Sequence, residues 1–150
     1  DLLSQPDEPV LNRVLSADDI MALQDIVRQV PCAEHVMRYA MGLARSTRPQ
    51  LGTCPQFIRD YVSWGAGPRA SQYLVLAAKA RALLEGRYFV SIEDIQAVAR
   101  PVLRHRIVTN FTAEAEGVSG DQIVDRLLQE LPEAPTPDLD RLGADRVLSS

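Results

Sequence analysis

The stretch WGAGPRASQYLVLAAKARALLEG, Trp64–Gly86, holds the longest helical pattern of the chain between two sets of punctuation. Gly65 and Gly67 suit a tight turn and let a second backbone or a ligand come close. Pro68 suits the first helical position, where an N–H would lack a partner. Gly86 suits a C-cap. Between them the spacing predicts a helix over Pro68–Glu85. Ala70, Tyr73, Leu74, Ala77, Ala80 and Leu84 make one face, while Val75, Leu76 and Leu83 lie elsewhere. A helix apolar on several sides belongs in the middle of a bundle. Arg69 is the odd residue, because a cation in a first helical turn opposes the helix dipole. An anion arriving at that helix end explains it, since unpaired N–H groups and a guanidinium both suit phosphate.

Upstream, Ser16 is an N-cap, with Asp18 and Asp19 favouring the dipole. Ile20, Leu23, Val27 and Val30 follow at helical spacing until Pro31 stops the helix. A second helix over Ala33–Ser46 sets Val36, Ala40, Leu43 and Ala44 on one face, with Glu34 and Arg38 paired outside. Thr47–Cys54 reads as a loop. Phe57, Ile58, Tyr61, Val62 and Trp64 suggest a short apolar helix leading to the glycines.

Downstream, Tyr88–Val90 can form a minimal strand, and Ser91 caps a helix with Glu93 and Asp94 in its first turn. Ile95, Val98, Ala99, Val102 and Leu103 face inward, and Pro101 is expected to kink or restart this helix. Arg104, His105 and Arg106 suit its C-terminus. Ile107–Val118 reads as a connection without a period. Ser119–Gln122 fits a capping box before Ile123, Leu127, Leu128 and Leu131. The fold class is therefore all-α: a small helical bundle around a long central helix, with at most a minimal two-stranded β element. Residues 1–15 read as a linker, 16–131 as the helical domain, and 132–150 as a disordered or weakly helical tail.

With 150 residues, 46% of them hydrophobic and 5% aromatic, one aliphatic core is affordable in size. A net charge of −4 argues against a non-specific nucleic-acid binder. Two cysteines, Cys32 and Cys54, point to reduced thiols in a cytoplasmic protein. The longest apolar run, Tyr73–Ala78, is too short to span a bilayer. The chain opens on Asp1 rather than Met, so a fragment or processed product is expected. Cys32 and His35 have a spacing found in zinc sites, but no second pair accompanies them, and no metal site is assigned. No G-x-S-x-G or P-loop motif occurs, so independent catalysis is not expected.

The quoted motifs together resemble the lid subdomain of MoxR-family AAA+ ATPases. Arg45-Ser46-Thr47-Arg48-Pro49, Gly65-Ala66-Gly67-Pro68-Arg69-Ala70, Ala77-Ala78-Lys79-Ala80 with Gly86-Arg87, and Pro101–Ile107 carry the likeness, which covers roughly Leu15–Leu131. The resemblance implies that Arg69 is the sensor 2 residue reaching the γ-phosphate, with Gly67 and Pro68 beside the nucleotide. It implies ATP with Mg²⁺ in the full-length protein, with no tightly bound cofactor in this segment. It also implies an upstream AAA+ core holding the Walker motifs, a ring of subunits (commonly a hexamer), and chaperone-like remodelling of partners, von Willebrand factor A domain proteins among them. Gly67 stands where the family often has serine. Two other readings stay open: the lid of a magnesium-chelatase-type ATPase, and a freestanding helical interaction module in which Arg69 is a surface residue.

Overall fold

Seven helices and one small antiparallel sheet form among residues 12–131, the part that the computed structural model describes. In chain order they are α1 (Ala17–Gln29), α2 (Glu34–Ser46), α3 (Gln56–Tyr61), β1 (Val62–Trp64), α4 (Arg69–Leu84), α5 (Ile92–Leu103), β2 (Val108–Thr109), α6 (Phe111–Glu116) and α7 (Gly120–Glu130). The expected tail lies outside the described residues, as does most of the expected linker.

Local capping chemistry sets the helix starts. The Ser16 hydroxyl accepts from the Asp19 N–H at 3.1 Å, and the Asp19 carboxylate accepts from the Ser16 N–H at 2.8 Å. Ser119 and Gln122 make the same reciprocal pair before α7. Each box satisfies N–H groups that the helix leaves open. At the end of α4, Gly86 takes a φ of 73°, and the Arg87 N–H reaches back to the Ala82 carbonyl at 2.8 Å. That is a left-handed cap, which costs glycine little.

α4 packs against α1, α2 and α5, so the helix expected at the centre is central. Its buried face differs from the expected one. Ala70, Leu74, Ala78 and Ala82 are buried, one turn apart, whereas Tyr73 and Leu84 are exposed. Three alanines in the stripe permit neighbouring helices to come close on that side. Leu43 of α2, Ile95 and Leu103 of α5, and Ile123 and Leu127 of α7 close the core around it.

Other expectations are corrected. The apolar face of α1 does not enter the core: no residue of that helix is buried, and Ile20 and Leu23 stay 46% and 48% exposed. Only half-buried Val27 and buried Val30 turn inward, because α1 meets the bundle through α4. Val62–Trp64 is a strand rather than a helical continuation, as suits a β-branched and an aromatic residue. It pairs with β2, Val62 opposite Thr109 and Trp64 opposite Val108. The supposed connection Ile107–Val118 contains β2 and α6, the latter capped by Asn110 and closed by left-handed Gly117. Six residues with one buried position, Ala113, are too few to show a period. Finally, Tyr88–Val90 is reduced to a single bridge from Val90 to Cys32. Of the two outcomes expected at Pro101, a restart does not occur, because α5 continues through it to Leu103.

The ends of α4 and α5 are joined by charge. Asp94, 1% exposed, accepts from both Arg87 nitrogens at 2.6 and 2.7 Å and from the Ser91 N–H at 3.0 Å. Glu85 binds the same Arg87 at 2.7 Å. The Arg87 guanidinium holds the Asp94 carboxyl down at about 2. A carboxyl depressed in the folded state stabilises above its unfolded value, and that gain is lost as pH falls through the folded value. Asp94→Asn is therefore expected to cost about 2 kcal/mol at neutral pH. In urea titrations the gap to the wild type should narrow as pH falls from about 4 toward about 2. A gap that is constant across that range would contradict this account.

Candidate functional site

Gly65 rests on the peptide between Thr47 and Arg48. A Cβ at Gly65 would lie 2.2 Å from the Thr47 carbonyl oxygen and 2.8 Å from the Arg48 Cα, inside both atoms. Its φ is not positive, so the need for glycine here is contact and not backbone freedom. Gly67 is different. It has no positive φ, and a Cβ there would meet nothing within 4 Å. Of the two glycines expected to allow close approach, one does so.

Ala66, between them, is fully buried, and both of its backbone polar groups are bound by the two residues that follow α2. The Thr47 hydroxyl donates to the Ala44 carbonyl at 2.7 Å and accepts from the Ala66 N–H at 2.8 Å. Arg48 Nε donates to the Ala66 carbonyl at 2.7 Å. Thr47 is itself fully buried. On the other side, the Ser63 hydroxyl donates to the carbonyls of Val108 and Thr109 at 3.1 and 3.2 Å. The turn is thus held from α2 and from the sheet.

α4 leaves this turn with Pro68 as its N-cap and Arg69 as its first helical residue, one position later than expected. Pro68 offers no side-chain cap. The Ala70 and Ser71 N–H groups are used within the turn, by the carbonyls of Gly67 at 2.9 Å and Pro68 at 3.2 Å, so the helix start is less bare than expected. Arg69 is exposed, and among the described residues no hydrogen bond or ion pair reaches it. No acidic residue lies in the first turn of α4, whereas α1, α5 and α7 each carry acids there and a capping box. An unpaired guanidinium on a fixed turn can take a phosphate or carboxylate in two parallel hydrogen bonds.

Other candidate residues are scattered. Trp64 is 68% exposed, and Tyr73 lies outside the core with the Arg106 guanidinium 4.9 Å from its ring centre. Neither is the core packing residue its type suggested. Cys32 is half-buried, burial pushing its thiol up, and His35 is exposed. Among the described residues no three His, Cys, Asp or Glu side chains gather as metal ligands. Sequence reading placed Thr47 and Arg48 in a motif of the likeness but gave them no role. Their partner lies 18–19 residues away, and no local period marks them.

Residues 56–127 match the AAA lid domain family. The chain is 33% identical to "Chaperone MoxR1" of Mycobacterium tuberculosis over 123 residues, which is 81% of this chain and 32% of that protein. It is 54% identical to "Protein MoxR" of Paracoccus denitrificans over 43 residues, 29% of this chain and 13% of that one. A crystal structure of a candidate ATPase from Cytophaga hutchinsonii superposes with a TM-score of 0.69 at 33% identity, covering 77% of this chain and 35% of that one. The chain spans about a third of the length of MoxR1.

The two glycines separate experimentally. Gly65→Ala is expected to lower stability by about 2 kcal/mol, the order of an overpacked core site. Gly67→Ala should be neutral or stabilise by up to about 1 kcal/mol through the unfolded chain. Denaturant midpoints for the pair check this, and equal losses would overturn it.

Proposed function

Because the chain belongs to the AAA lid domain family and is of the MoxR type, we propose that it completes the ATP site of an AAA+ ATPase through Arg69, acting as sensor 2. One observation carries the reading: Arg69 is exposed and unpaired among the described residues, at the uncapped start of the central helix, on a turn bound to the rest of the bundle. In this role the guanidinium meets the γ-phosphate of ATP held by an upstream core. It favours the charge that develops during transfer, as a preorganised cation does. It also senses the nucleotide. When the γ-phosphate leaves, the differential contact that favoured one lid orientation goes with it. Gly67 and Pro68 shape the approach, Pro68 by its fixed φ and Gly67 by leaving the space beside it open.

The donor set fits half of such a site. A guanidinium suits a phosphate oxygen, but the sequence carries no P-loop and the described residues gather no metal-ligand cluster. On this reading ATP and Mg²⁺ would be held by a core outside residues 1–150, where the ion would supply charge neutralisation. Assembly as a ring of subunits and remodelling of partner proteins, von Willebrand factor A domain proteins among them, complete the proposal. The remodelling draws support from the chaperone named among the relatives.

In the full-length protein, Arg69→Ala is expected to leave folding and assembly intact and to lower ATP turnover about a hundredfold, the scale of losing one preorganised charge contact. Steady-state turnover on the assembled protein measures it. Unchanged turnover would favour a freestanding interaction module instead. Residues 1–150 alone should show no multiple turnover of ATP.

A further inference from the structure

We infer that Thr47 and Arg48 are positioning residues for Arg69: they lock the turn that carries it to the C-terminal end of α2, so that Arg69 moves with the helical bundle and not as a loop. The inference rests on the sensor reading of Arg69 and adds the residues that make it effective. Residues 65–68 belong to no helix or strand. A free turn of that kind gives the following side chain a spread of positions. Here three contacts remove the spread. Gly65 lies against the Thr47 carbonyl, the Ala66 N–H goes to the Thr47 hydroxyl, and the Ala66 carbonyl goes to Arg48.

The hydroxyl's own proton is committed to the Ala44 carbonyl, so its lone pair is left facing the Ala66 N–H. Serine can repeat that arrangement. Valine has the same shape and cannot, and it strands a buried N–H. Past Ala66, the Gly67 and Pro68 carbonyls are already engaged by the first turn of α4. No loose joint is left between Thr47 and Arg69. α2 in turn packs on α4, α5 and α7, so a pull on Arg69 reaches the whole bundle. Thr47 is fully buried, so it acts through Arg69 and not on the nucleotide, while half-buried Arg48 gives its Nε–H to Ala66.

A double-mutant cycle in the full-length protein tests this. Thr47→Val should lower kcat about tenfold or more, the cost of a small misplacement of a reacting partner, with KM nearly unchanged. Thr47→Ser should restore it. In an Arg69→Ala background, Thr47→Val should cost nothing further, because residues acting as one unit are not additive. The same fractional loss in both backgrounds would mean a merely structural role and overturn the inference. So would full turnover of Thr47→Val where Arg69→Ala alone is impaired. If Arg69→Ala leaves turnover unchanged, the sensor reading itself falls, a separate result. Should Thr47→Val fail to fold, Arg48→Gln, at a half-buried position, runs the same cycle with the same outcomes.

Discussion

The backbone of Gly65 lies so close to the Thr47–Arg48 peptide that no side chain fits between them. Much else depends on that contact. It brings Ala66 within reach of the Thr47 hydroxyl and of Arg48, which together take both of its backbone polar groups. A buried peptide left unpaired there would cost on the order of 1–3 kcal/mol, so the turn has one satisfactory position. Because the central helix begins three residues later, its start is placed by the end of α2. The strand before the turn is tied as well, through Ser63 to β2. The point where Arg69 emerges is thereby defined by two separate parts of the chain, the end of α2 and β2.

The charges of this lid sort into two kinds. Asp94 is buried and receives two hydrogen bonds from Arg87 and one from a backbone N–H, which closes the gap between α4 and α5. Removal of Arg87 leaves a desolvated carboxylate at Asp94, which is where such pairs matter. At the other end of the same helix, Arg69 has no partner among the described residues and sits where the helix dipole disfavours it. One end of α4 is electrostatically complete and the other is open. That asymmetry suits a helix that serves as scaffold at one end and meets an anion at the other.

Legibility followed distance along the chain. Ser16 with Asp19, and Ser119 with Gln122, are three residues apart, and a side chain bonds a backbone group in the same turn whatever the tertiary structure. Those starts were readable, as was Gly86 at the end of α4. The face of α4 was not. Tyr73 and Ala70 are both apolar positions on a plausible stripe, yet Ala70 is buried and Tyr73 exposed. The helix is apolar on several sides, so periodicity alone cannot choose among them. α1 shows the converse, a regular apolar stripe with no residue buried. Short elements escaped for a simpler reason. β2 has two residues and α6 six, fewer than a pattern needs to declare itself.

The sequence by itself determined that the chain is a bundle of capped helices around a long alanine-rich one, that Gly-Pro-Arg opens that helix, and that Arg69 stands there against the dipole. These follow from forces that act within one or two turns. Only the tertiary structure decided which helix faces are covered, that β1 pairs with β2, and that Gly65 rather than Gly67 is the glycine contact requires. It alone brought Thr47 and Arg48 to Ala66. Such choices turn on backbone groups many residues apart, whose meeting depends on how the intervening helices pack.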